Sequence, residues 1–134
     1  MIDLWSKVYN DLKELLKTSQ YNPHIYRIPP QKKDFPLIIL SEITNQDSDR
    51  ATRGIEGVDV IGFEVDIYIA PKIATEEKIF AQDSEITKIV DDYMCGVGFT
   101  RMSSVTAPNV DNTIFRRLLR YEANALTRTG KILS

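Results

Sequence analysis

An α+β fold, with a mainly antiparallel sheet and two amphipathic helices packed on one of its faces, is what this sequence predicts. The first observation is the stretch 57–71, GVDVIGFEVDIYIAP, in which Ile61, Phe63, Val65, Ile67 and Ile69 alternate with Gly62, Glu64, Asp66, Tyr68 and Ala70. Period-two alternation of this kind marks a half-buried strand. The second is a pair of segments, near 3–18 and 76–95, whose apolar residues recur at helical spacing. The third is the charged stretch 44–56, which in the simplest topology is the tip joining two antiparallel strands, 35–43 and 57–70.

The helix expected over 3–18 places Leu4, Trp5, Val8, Tyr9, Leu12, Leu15 and Leu16 on one side, with Asp3 as its N-cap and lysines near its C-terminal end, where they suit the dipole. The polar run 18–23 ends it. Residues 24–28 are expected to be extended until Pro29 and Pro30 interrupt any ladder. FPLIILSEI, residues 35–43, is too short and too rich in isoleucine for a helix, and reads as a strand with both faces substantially covered. The long strand at 57–70 would span about 46 Å at about 3.3 Å per residue, so it should bend near Gly62 or project beyond the core.

Between these strands, TNQDSDRATRGIE at 44–56 is almost wholly polar and charged. A connection of this length is expected to be a mobile loop in the isolated subunit that orders against a partner, because it carries too little apolar surface to order itself. Asp47, Asp49, Arg50 and Arg53 are the candidate charged contacts there, with an ordinary solvated hairpin tip as the competing reading.

Thr75 followed by Glu76 and Glu77 starts the second helix, and Gly96 is expected to stop it with a left-handed residue. Its inner face should carry Ile79, Ile86, Ile89, Val90, Tyr93 and Met94. Two more strands are expected near 99–107 and 114–126, separated by Pro108, Asn109, Asp111 and Asn112. In the last strand neither face is purely apolar: Arg117, Leu119, Tyr121, Ala123 and Ala125 share one, and Arg116, Leu118, Arg120, Glu122, Asn124 and Leu126 the other.

At 134 residues the chain reads as a single domain, 1–134, and its net charge of −2 argues against a protein that grips nucleic acid through a basic surface. One cysteine excludes an intrachain disulfide and a multi-cysteine metal site. The N-terminal segment has charges scattered through its apolar pattern, unlike a signal peptide, and no apolar run is long enough to span a bilayer; a cytoplasmic site of synthesis is expected.

The chemistry-bearing residues are sparse. His24 is the only histidine and lies in no nucleophile motif, so it reads as structural or surface. Cys95 sits at the C-terminal end of its helix, the wrong end to activate a thiolate, and reads as a packing residue. Glu64 and Asp66, with Asp59, could in principle hold a divalent cation through oxygen ligands, but Arg116 and Arg120 on a neighbouring strand offer them cross-strand partners, and that reading is preferred. Asp47 and Asp49 resemble the start of a calcium loop but lack the glycine and glutamate that would complete it. Arg116, Arg117, Arg120, Arg128 and Lys131 form the one basic concentration, read as a solvated or inter-subunit feature because strand alternation divides its first members. No catalytic, metal or cofactor site is assigned.

The order helix, strand, charged loop, long alternating strand ending IYIAPK, amphipathic helix and strands ending RLLRYEANALTRTGKIL resembles the tail terminator or tail completion proteins of long-tailed bacteriophages, nearest to the tail-to-head joining proteins of Bacillus-infecting siphophages. The likeness covers nearly the whole chain and lies in layout and size. It implies a structural, non-enzymatic virion protein: a ring, usually a hexamer, that caps the tail tube, meets the tail tube protein and the head stopper or connector, and lets DNA pass through its lumen. The alternatives are a metal-dependent enzyme using the strand carboxylates, or a small regulatory ligand-binding domain.

Overall fold

The computed structural model describes residues 4–31, 34–47, 58–71, 75–106, 114–126 and 130–133. Its elements follow in the order α1 (Trp5–Leu16), β1 (His24–Tyr26), β2 (Leu37–Asp47), β3 (Val58–Ile69), α2 (Glu76–Gly96), β4 (Thr100–Thr106), β5 (Phe115–Leu126) and β6 (Ile132–Leu133). The sheet runs β1-β2-β3-β5-β4, with β6 also on β5, and every pairing is antiparallel except β1 with β2. The fold is the expected α+β.

The alternation in β3 sorts its side chains as the sequence predicts. Ile61, Phe63, Val65, Ile67 and Ile69 are all fully buried. They share one core with Ile38 and Leu40 of β2, Leu119, Tyr121, Ala123 and Ala125 of β5, and the inner faces of both helices, Val8, Leu12 and Leu16 from α1 and Ile86, Val90 and Met94 from α2. Trp5 and Ile89 pack against its margin, and Phe63 meets Phe99 at 5.4 Å between ring centroids. In β2, Leu37, Ile38, Ile39 and Leu40 are all buried, so both faces of that strand are covered at its start.

Hydrogen bonds fix the helices. Thr75 caps α2, its hydroxyl accepting from the Lys78 amide at 3.3 Å, and Glu76 and Glu77 occupy the first turn. Tyr93 of α2 donates to Asp11 of α1 at 2.6 Å, and Ser19, just beyond α1, donates to Glu85 of α2. Tyr121 of β5 donates to Asp91 of α2 at 2.9 Å. Burial, then the adjoining carboxylate, pushes the phenols of Tyr93 and Tyr121 well above the ordinary tyrosine value.

Several boundaries differ from expectation. Helix α1 begins at Trp5 and ends at Leu16, two residues short of the expected end, with Leu4 at the N-cap; Asp3 lies outside the described residues. The strand expected over 24–28 stops at Tyr26. Strand β2 continues through Thr44, Asn45, Gln46 and Asp47, which pair with Gly62, Ile61, Val60 and Asp59, so the loop expected from residue 44 does not start there. Backbone pairing, which polar side chains do not prevent, carries the strand onward. A bulge between Glu42 and Thr44 falls opposite Gly62, where a Cβ would come within 3.0 Å of Thr44 Cβ, so the irregularity lies where the bend is expected. Beyond α2 the left-handed residue is Gly98, with φ of 109°, and not Gly96, which belongs to the helix. A side chain on Gly98 would also meet Ile132 Cγ2 at 2.7 Å.

Candidate functional surface

Strand parity separates the charged residues of the sheet before any contact is considered. In β3 the even positions Glu64, Asp66 and Tyr68 face away from the helices, and their partners on β5 are Arg120, Leu118 and Arg116. Arg116 reaches along this open face to grip Asp66 with two bonds, Nε to Oδ1 at 2.8 Å and Nη2 to Oδ2 at 2.7 Å. Its guanidinium also lies 5.4 Å from the centre of the Tyr68 ring, whose hydroxyl donates to Asp66 Oδ2 at 3.3 Å. Burial and then the Asp66 charge raise the Tyr68 phenol above its ordinary value, and hydrogen bonding to Asp66 raises Arg116, so the cluster holds a fixed guanidinium and a neutral phenol. Arg120 donates to Glu64 at 3.2 Å.

These pairings are the cross-strand partnership expected for Glu64 and Asp66. Asp59, grouped with them as a conceivable cation ligand, does not join them: it is an odd residue of β3, fully buried on the side of Ile61 and Phe63. Among the described residues no group of three or more His, Cys, Asp or Glu side chains is placed to hold a metal.

The margins of the open face are more apolar. On the β2 side Leu37 and Ile39 are buried beside Tyr68 and Asp66. On the β4 side Val105 pairs with Leu118 and is 48% exposed, and Met102, at a second bulge between Arg101 and Ser103, is 61% exposed. Tyrosine, arginine and methionine are the types enriched where proteins meet, because each combines a large contact area with polar or adaptable character. Sequence reasoning named Glu64, Asp66, Arg116 and Arg120 but not Tyr68, Met102 or Val105. The parity of Tyr68 was readable, whereas the exposure of Met102 goes with the place of β4 at the sheet edge, which has no local sequence signal.

The other candidates fall elsewhere. Arg117 lies on the helix side, where it makes a two-bond grip on Asp83 of α2 at 2.7 and 2.9 Å and donates to Ser104 at 3.2 Å, so it serves the packing of α2 on the sheet. Arg116 and Arg120 are likewise engaged within the subunit, while Arg128 lies outside the described residues. Asp47 is the last residue of β2, in register with Asp59, and Asp49, Arg50 and Arg53 lie outside the described residues. Cys95 is exposed and so is not the packing residue expected; its thiol is 3.8 Å from Asp91, and partial loss of solvent around the sulfur, then that carboxylate, raise its pKa. No helix among the described residues is long and apolar enough to cross a membrane. Searches against family models and curated proteins returned no match.

Proposed function

We propose that this chain is a structural subunit of the head–tail joint of a long-tailed bacteriophage, made in the host cytoplasm and incorporated in the virion. It assembles as a ring, with six copies the expected number, that caps the tail tube and receives the head connector, with DNA passing through the lumen. The observation that carries this reading is the open face of the sheet, where a preorganised Tyr68–Asp66–Arg116 cluster lies in register with exposed Val105 through Leu118, and exposed Met102 stands farther along the β4 edge. A face whose charges are already paired can be covered by a partner without leaving an isolated charge in the interface. The order of elements shared with tail completion proteins supports the same role.

The test is joining of purified heads and tails, with the ring followed by electron microscopy of tails incubated with the protein. Restoration of joining, with a ring seen at the tail end, is the expected result. Full joining in the protein's absence would overturn the proposal. Val105→Glu and Met102→Glu should block assembly while the subunit still folds. Shortening the 48–57 segment examines the separate proposal that Asp49, Arg50 and Arg53 contribute charged contacts: loss of joining by a folded subunit is expected, and undiminished joining would remove that role. Glu64→Gln with Asp66→Asn addresses the metal-enzyme alternative, because stoichiometric magnesium or manganese uptake abolished by this pair would favour it.

A further inference from the structure

A second built feature lies on the opposite side of the molecule from β4. Trp5, Tyr9 and Lys13 of α1 and its C-cap Lys17 are spaced four apart and form one ridge. The two rings stack at 4.7 Å and 13°, Arg27 lies 4.7 Å over Trp5, and Lys13 lies 5.8 Å from the Tyr9 centroid, giving a cation, two rings and a second cation in sequence. Both rings are pinned: Trp5 Nε1 donates to the Leu40 carbonyl at 2.8 Å, and the Tyr9 hydroxyl donates to the Ile25 carbonyl at 3.4 Å. Between this ridge and the segment entering β1 is a cleft of about 250 Å³, whose lining includes Tyr9, Lys13, Lys17, Asn22, His24 and Tyr26.

We propose that this cleft binds a terminal phosphate group carried by a small ring-bearing molecule. The lining contains two ammonium groups one helical turn apart, an imidazole, an amide and two phenols, and no carboxylate. Lysines serve as point charges for phosphate, and the Asn22 amide and the Tyr26 phenol add donors, the Tyr9 hydroxyl being given to Ile25. The nearest acid to the lysines, Glu14, pairs with Lys17 at 3.0 Å, but both side chains are more than half exposed, so the pair is readily exchanged for an anion. Dipole compensation explains lysines at the end of α1, but not their convergence with Asn22 and His24 on a fixed aromatic wall. The modest volume fits a compact ligand, and the half-buried Tyr26 is the aromatic side chain left to meet a ring, because Tyr9 is already held between Trp5 and Lys13. This assignment is independent of the ring-forming role.

Amide chemical shifts of the full chain provide the test, during titration with inorganic phosphate and with adenosine monophosphate at constant ionic strength set by sodium chloride. Saturable shifts centred on residues 9–26 are expected for both, tighter for the nucleotide, and absent for adenosine. Lys13→Gln with Lys17→Gln should weaken binding about tenfold or more, while Lys13→Arg with Lys17→Arg should retain it. An unchanged thermal midpoint in both double variants establishes that they fold. No saturable shift through the millimolar range, equal binding by the glutamine variant, or equal binding by adenosine overturns the assignment. Binding of a dinucleoside phosphodiester as tight as that of the monophosphate also overturns it, because the site would then read a nucleic-acid backbone.

Discussion

Arg116 and Arg117 are neighbours in one strand, yet each grips an aspartate with two hydrogen bonds on opposite faces of the sheet. Arg117 connects β5 to α2 across 34 residues of sequence and, through Ser104, touches β4 as well. Arg116 connects β5 only to its strand neighbour β3, which the backbone ladder already holds. The same chemistry therefore does different work. On the covered face the ion pair sets how a helix lies on the sheet, and on the open face it fixes the shape of a surface.

This comparison predicts a graded response to mutation. The largest loss should come from the covered face itself: Phe63→Ala removes a fully buried ring and should cost about 3–5 kcal/mol in denaturant unfolding. Asp83→Ala should follow at about 3 kcal/mol, because it strands a largely buried guanidinium beneath α2. Asp66→Ala should cost less, about 1–2 kcal/mol, since Arg116 keeps the Tyr68 ring beneath its guanidinium when the carboxylate is gone, whereas Arg117 loses its contact to α2. Equal losses for the two aspartate variants would break the distinction between the faces. Glu64→Gln is the smallest change, expected within about 0.5 kcal/mol because Arg120 is half exposed.

Alkaline titration sharpens the same contrast. Tyr93 and Tyr121 have folded-state pKa values above those of an unfolded chain, so the unfolded form loses their protons first. Their contribution to stability is complete below about pH 10 and declines as pH rises towards the raised folded values. Thermal midpoints should fall from about pH 10 upward, and Tyr121→Phe should flatten that fall. A midpoint independent of pH in this range would contradict the prediction.

The core was legible where one strand carried its own pattern. The odd positions of β3 announced their burial, and Asp59, an odd position that was grouped with Glu64 and Asp66, follows them into the covered side. Strand β5 was ambiguous because Arg117 occupies a core-side position, and the aspartate that makes this tolerable lies in a helix 34 residues earlier. The extension of β2 was hidden for a different reason: Thr44, Asn45, Gln46 and Asp47 are held by the backbone of β3, and their side chains carry no apolar alternation. At the end of α2, Gly96 and Gly98 were indistinguishable until the approach of Ile132 to Gly98 was known. On the open face the charged pairs could be read from opposite charges on facing strands, but the exposure of Met102 could not, because it follows from β4 being the edge strand.

The first bulge gives the β2–β3 hairpin an unusual tolerance. Pairing runs from Glu42 with Phe63 directly to Thr44 with Gly62, leaving Ile43 without a Cα partner and half exposed. Deleting one residue from a strand ordinarily turns every following side chain to the wrong face. Deleting Ile43 would instead join Glu42 to Thr44 in a plain ladder, with Thr44 still opposite Gly62 and Asn45 still opposite Ile61. The sheet thus contains a spare position, where the chain can be shortened by one residue while the pairing on both sides keeps its phase.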